Sequence, residues 1–171
     1  MATEVTSGKK VLVLMGSDSD FGVMKAALDV LREFRVPCEA RVLSVHRAPD
    51  AALEAAAGAR DAGYRVIICG AGMAAHLAGA VASKTILPVI GVPIASGALH
   101  GMDSLCSTVQ MPPGVPVAAV AIDGAKNAGI LALQVLAASD DRIAAELLAF
   151  KKKLTQEVLE KDRKLQAEVA R

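Results

Sequence analysis

The sequence predicts an α/β fold in which a parallel sheet lies between two layers of helices. Two observations carry this. Short apolar, β-rich runs alternate with longer segments of helical periodicity about five times along the 171 residues. The clearest of those runs are apolar at every position, not at alternate ones, as strands buried on both faces require. Right-handed crossovers between successive strands then give a doubly wound, flavodoxin-like three-layer sandwich. We expect a single domain over residues 1–171, with a polar lead at 1–9 and a helical extension at 140–171; no internal repeat or linker divides it.

Each element has its own signature. Val11–Met15 is a continuous apolar run ending at Gly16, the first strand. A helix follows over about Asp20–Phe34, where Met24, Ala27, Leu28 and Leu31 fall at i, i+3, i+4 and i+7. Cys38–Leu43 reads as the second strand. The Ala-rich segment Asp50–Asp61 is helical, with Pro49 at its start and Gly63 beyond its end. Val66–Cys69 and Val89–Val92 are buried strands separated by a helix around Ala74–Ser83. Val117–Ile122 is the last strand, and Ala125–Ala137 the helix after it. In the tail, Ile143, Leu147, Leu148, Leu154, Val158 and Leu165 recur at roughly helical spacing among many Lys and Glu. This is a long amphipathic C-terminal helix, and its apolar positions suit burial against partner subunits.

Composition narrows the function. The formal net charge is +1, with no Trp, one Tyr and three Phe. Neither a basic field nor a stacking platform for nucleic acid is present. No apolar run approaches the roughly 20 residues of a membrane span, and the polar N-terminus carries no signal-peptide core. Cys38, Cys69 and Cys106 are scattered and odd in number, which fits reduced packing thiols in a cytoplasmic protein.

The chemistry should lie in loops at the carboxyl ends of the strands. Gly16-Ser17-Asp18-Ser19-Asp20 offers backbone amides, hydroxyls and a helix amino end to a phosphate, and its acids to sugar hydroxyls. A plain capping turn with Ser19 or Asp20 at the cap is the alternative. Ser44-Val45-His46-Arg47-Ala48-Pro49 places a fixed cation beside a group able to exchange protons near neutral pH; otherwise His46 caps a helix and Arg47 is solvated. Gly70-Ala71-Gly72-Met73-Ala74-Ala75-His76-Leu77 is a glycine turn with His76 beside it, or His76 is a packing residue. Its GxGxxA spacing does not make a dinucleotide site, because it does not open the first β-α turn and no acid ends the next strand. The long segment from Ala95 to Pro116 suits a lid or a subunit contact. Three scattered histidines give no metal-ligand spacing, and no nucleophile or P-loop motif occurs. The residues alone reach a phosphate-bearing small molecule and one or two proton-transferring histidines.

Taken together, Gly16–Asp20, Ser44–Pro49, Gly70–Gly79, Leu87–Pro93 and Leu99–Ile122 resemble the class I N5-carboxyaminoimidazole ribonucleotide mutases, the PurE family of bacterial purine synthesis. That family's pattern runs GSxSD, SAHRTP, GAGGAAHLPG, LPVxGVP and LxGxDSLxSxVQMPxGxPVxxxAI. The order and spacing agree over roughly residues 10 to 160. The resemblance implies a cofactor-free, metal-free mutase that moves a carboxyl group from the exocyclic nitrogen to carbon C4 of the aminoimidazole. It also implies a homo-octamer with sites near subunit boundaries. By carry-over, His46 is the acid/base and His76 a second active-site histidine. Gly16, Ser17, Ser19, Asp20, Ser44, Arg47, Gly72, Ala74 and Leu77 fall in the matching substrate-binding stretches. Four positions depart from the pattern: Val45 for Ala, Ala48 for Thr, Met73 for Gly and Ala78 for Pro. At 73 a glycine serves either a positive φ or free space, and a Met side chain narrows the pocket.

Three rivals meet contrary residues. The class II enzymes, which carboxylate aminoimidazole ribonucleotide directly with CO2, usually carry Lys where Arg47 stands and Ser-Asn at Ala75-His76. Homologous domains that carboxylate a pyridine nucleotide usually carry extra preceding sequence. A non-catalytic flavodoxin-like receiver needs an Asp ending the third strand, where Cys69-Gly70 stands.

Overall fold

The computed structural model describes residues 10–170; the polar lead at 1–9 lies outside the described residues. Five parallel strands, β1 (Lys10–Met15), β2 (Cys38–Val42), β3 (Tyr64–Gly72), β4 (Val89–Ile94) and β5 (Ala118–Ala119), form one sheet in the order β2-β1-β3-β4-β5. The helices are α1 (Phe21–Glu33), α2 (Pro49–Gly58), α3 (Leu77–Ala82), α4 (Met102–Val109), α5 (Ala125–Ala137) and α6 (Asp141–Val169).

Strand alternation divides the core in two. Val11, Val13 and Met15 of β1 turn to one face and are buried with Met24, Leu31, Leu133 and Ile143 from α1, α5 and α6. Leu12 and Leu14 turn to the other face, against Ala52 and Ala56 of α2 and Leu77 and Val81 of α3. Burying each such Leu, Ile or Val contributes about 1.5–3 kcal/mol. Gly129 sets how closely α5 approaches α1: a Cβ there would lie 3.0 Å from the Ala27 carbonyl oxygen. This is the sandwich expected from the sequence, with α2, α3 and α4 on the second face.

Several boundaries differ for physical reasons. β2 is an edge strand with four of its five residues exposed, so its Glu39 and Arg41 are tolerated. β3 runs to Gly72, three residues past the apolar run, because its small residues still pair with Val92, Pro93 and Ile94. The helix expected at 74–83 starts only at Leu77, since residues 73–76 form a turn. The last strand shrinks to two paired residues. The segment from 95 to 116 contains α4, whose apolar stripe, Met102, Leu105, Cys106 and Val109, is not the face it buries on this chain. It buries Ser104 and Thr108 instead, and the Ser104 hydroxyl is held at the carbonyls of Ile94 and Gly101, 3.0 and 2.9 Å away.

The tail helix begins where Asp140 caps it, its carboxylate accepting from the Ile143 amide at 3.2 Å. Ile143 and Leu147 are buried and the Phe150 ring meets Phe34 edge-on at 6.0 Å. Beyond them Leu154, Val158 and Leu165 are exposed on this chain. No helix among the described residues is long and apolar enough to cross a membrane.

Cys38, Cys69 and Cys106 are free thiols. Burial pushes the Cys69 thiol well above its ordinary range and also raises Cys38. Since the thiolate is the reacting species, alkylation at neutral pH should leave Cys69 unmodified in the folded protein. Intact-mass measurement should find all three thiols labelled only after denaturation; early labelling of Cys69 would contradict the packing described here.

Candidate active site

Four strand ends converge on one cavity of about 390 Å³. It opens where the order of the sheet reverses, between β1 and β3, so loops after β1, β2 and β3 surround it and Ser96 arrives from the end of β4. Gly16, Ser17, Ser19, Asp20, Ser44, His46, Arg47, Gly72, Ala74, His76 and Leu77 all line it. The sequence therefore brought together every residue it singled out for the site. It passed over Ala71 and Ser96, named Val45 only as a departure from the pattern, and expected Met73 to narrow the pocket.

After β1 the chain makes a single 3-10 turn, Asp18–Asp20, capped by Ser17; Asp20 then stands at the N-cap position of α1 without a side-chain cap hydrogen bond. The Ser17 amide donates to Asp20 Oδ2 at 2.9 Å, while the hydroxyls of Ser17 and Ser19 lie 2.9 Å apart. Asp20 is buried. That burial raises its carboxyl above the usual carboxylate range, against the lowering effect of the Ser17 and Gly16 amides. Its role within the loop is to fold the turn so that small residues face the cavity.

After β2, a turn closed by Arg47 and Ala48 amides on the Ser44 carbonyl presents His46 and Arg47. Arg47 reaches over the first loop, its Nη2 3.4 Å from the Gly16 carbonyl oxygen and its Nε 3.5 Å from Ser44 Oγ. Both contacts are long, and the guanidinium is exposed, so most of its donors remain available to an anion.

His46 and His76 meet directly. His46 Nε2 lies 2.8 Å from His76 Nδ1, with the rings crossed at 80°. One of these nitrogens must donate and the other accept, so the contact holds one proton between two imidazoles. His46 Nδ1 and His76 Nε2 are the nitrogens left over. Neither helix capping nor core packing accounts for the two residues, since both rings are exposed at the cavity.

The turn carrying His76 is tied down from behind. The Ala75 amide donates to Ser107 Oγ of α4 at 3.0 Å. Ser107 in turn lies 2.8 Å from the Asp103 carbonyl. At its start Met73 has a φ of 53°, left-handed backbone that costs a non-glycine residue about 1–2 kcal/mol. Both readings of a glycine at this position thus apply: the backbone takes a positive φ, and the side chain lies at the cavity rim. Among the described residues no group of three or more His, Cys, Asp or Glu is placed to hold a metal ion.

Comparison with known proteins follows the same lines. Residues 10–157 match the family model described as AIR carboxylase. An N5-carboxyaminoimidazole ribonucleotide mutase from Mycobacterium tuberculosis is 54% identical over 157 residues, covering 92% of this chain and 90% of the relative. The mutase of that name from Bacillus subtilis is 55% identical over 150 residues, covering 86% and 93%. The crystal structure of Treponema denticola PurE superimposes with a TM-score of 0.83 at 28% identity, covering 92% of this chain and 98% of that one.

Proposed function

The chain belongs to the AIR carboxylase family and is a mutase acting on N5-carboxyaminoimidazole ribonucleotide; from that premise we propose that the His46–His76 pair runs the proton transfers while the loops around it hold the ribonucleotide. The observation that carries the proposal is the 2.8 Å contact between the two rings in the wall of a cavity also lined by Arg47 and the Ser17–Asp20 turn.

The chemistry needs one proton given and one taken. Protonation of the carbamate nitrogen lets its bond to the carboxyl carbon break, with the electron pair staying on nitrogen and CO2 leaving. The freed amine makes C4 of the ring an enamine-like nucleophile, which attacks CO2 and forms the new C–C bond. Removal of the C4 proton restores the aromatic ring. His46 gives the first proton and takes the last, and it ends as it began. His76 shares a proton with it, which fixes the tautomer and orientation of His46 throughout. Arg47 and the amides and hydroxyls of Gly16, Ser17 and Ser19 suit the phosphate, and Asp20 and Ser44 complete that end of the site. Gly72, Ala74 and Leu77 shape the wall beside the ring. Binding the phosphate away from C4 positions the ring and keeps CO2 close to it. The reaction calls for no redox group.

The whole chain, 1–171, is read as one domain with a helical extension from 140. A homo-oligomer, an octamer by the family resemblance, is supported by the apolar positions that α6 exposes past Leu147. A cytoplasmic, biosynthetic role is consistent with the free thiols.

Two assays test the function. The enzyme is expected to convert N5-carboxyaminoimidazole ribonucleotide rapidly to the C4 carboxylate, and to use aminoimidazole ribonucleotide with near-physiological bicarbonate negligibly. Efficient use of bicarbonate would assign direct carboxylation instead.

A further inference from the structure

We propose that Ser96 is a further substrate-positioning hydroxyl of this site, and that Met73 holds it in place. The inference rests on the functional reading above for the identity of the ligand. Three observations support it.

First, Ser96 lines the cavity from β4, and among the described residues its hydroxyl has no hydrogen-bond partner. It is only half-buried and can donate to a ligand without breaking an existing contact. Second, Ser96 sits where only a glycine floor admits it. A Cβ on Gly72 would lie 2.1 Å from Ser96 Oγ and 3.1 Å from Ser96 Cβ. The Gly72 position therefore makes room for Ser96 as well as for substrate. Third, the Met73 side chain faces the segment after Ser96. Gly97 has a φ of 62°, and a Cβ built there would be 3.5 Å from Met73 Cγ and 3.9 Å from Sδ. The Met73 side chain thus borders the open side of Gly97, one residue from Ser96. Left-handed residues recur at His100 (φ 47°) and Gly101 (φ 93°), which coil the segment back over the strand ends.

Met73 has its own strained backbone and is largely exposed. Strain at a cavity rim persists where the surrounding structure imposes it. Here the consequence is a side chain laid from the His76 turn onto the neighbouring loop. Met73 is a positioning residue: it acts on substrate through Gly97 and Ser96.

The test is a double-mutant cycle. Ser96→Ala, Met73→Ala and the double variant are compared with the wild-type enzyme, with Met73→Leu as the conservative rescue. Each is measured for Kd of aminoimidazole ribonucleotide by calorimetry and for kcat and KM with the carbamate substrate. Each single alanine variant is expected to raise Kd and KM about fivefold, the worth of one neutral hydrogen bond, with kcat within about twofold. The double variant should be no worse than either single one, and Met73→Leu should stay within about twofold of wild type. A wild-type Kd in Ser96→Ala, effects that multiply in the double variant, or a Met73→Leu as weak as Met73→Ala would each overturn the proposal. Wild-type enzyme that binds the ribonucleotide but leaves the carbamate unconverted would sink the mutase reading alone, and the Kd series would still judge Ser96 and Met73. Absence of ribonucleotide binding would sink both.

Discussion

Replacing His46 by Asn is expected to lower kcat roughly a thousandfold while moving KM only a few-fold. General acid–base catalysis by a placed side chain contributes on the order of 10²–10⁴ in rate. His46 is asked to serve twice, once on the carbamate nitrogen and once on C4, so a loss at the middle of that range, above its lower end, applies. Asparagine keeps the size and a donor facing His76, which preserves the wall of the cavity but leaves nothing that titrates. Replacing His76 by Asn should cost less, on the order of tens-fold. It removes the partner that shares the proton at 2.8 Å and leaves the proton-transferring ring in place. Steady-state kinetics of the two variants check the assignment of roles. Equal losses would instead make the pair a single acid/base unit, and a reversed order would exchange their roles.

The second large effect concerns binding. Arg47→Ala is expected to raise KM roughly fiftyfold, since hydrogen bonds to charged groups are worth about 1.5–3 kcal/mol. In the structure the guanidinium makes only long contacts to Gly16 and Ser44, so little folding stability depends on it. Thermal melting of Arg47→Ala should therefore stay close to that of the wild type while the ribonucleotide Kd weakens. Arg47→Lys should recover part of the loss, because a point charge remains but the planar fork is gone. Unchanged KM in Arg47→Ala would place the phosphate elsewhere in the cavity.

The fold was legible wherever burial dictates the residue. β1 from Val11 onward and the whole of β4 lack polar side chains because both faces are covered, and α1 shows its stripe because one side meets the sheet. α4 was not legible. It docks by burying Ser104, whose hydroxyl finds two carbonyls, and Thr108, while its apolar positions Met102, Leu105, Cys106 and Val109 face away from the core. β5 was overestimated because only Val117 and Val120 of the apolar run Val117–Ile122 pack, partly buried, against the core, and only Ala118–Ala119 pair as a strand.

The site was legible for a different reason. Its residues lie at the ends of strands that the apolar runs locate, so the loops could be picked out before their geometry was known. What the sequence could not show is that His46 and His76, thirty residues apart, touch. It also could not show that Ser96 crosses from β4 onto Gly72, since a lone serine in a long polar segment gives no signal. Met73 is the mixed case. Its departure from the family pattern was visible, whereas its positive φ and its place facing Gly97 needed coordinates.

The central claim is that the carboxyl group is moved within the site, from nitrogen to C4, with CO2 held between the two steps. Its most direct test is a single-turnover reaction with carbamate labelled by ¹³C in the carboxyl group, run in excess unlabelled bicarbonate. Retention of most of the label in the C4 carboxylate, lost together with turnover in His46→Asn, is the result expected of a mutase that holds its CO2. Product carrying the label of the bulk bicarbonate pool would contradict it, and would make the chain a carboxylase that draws its CO2 from solution.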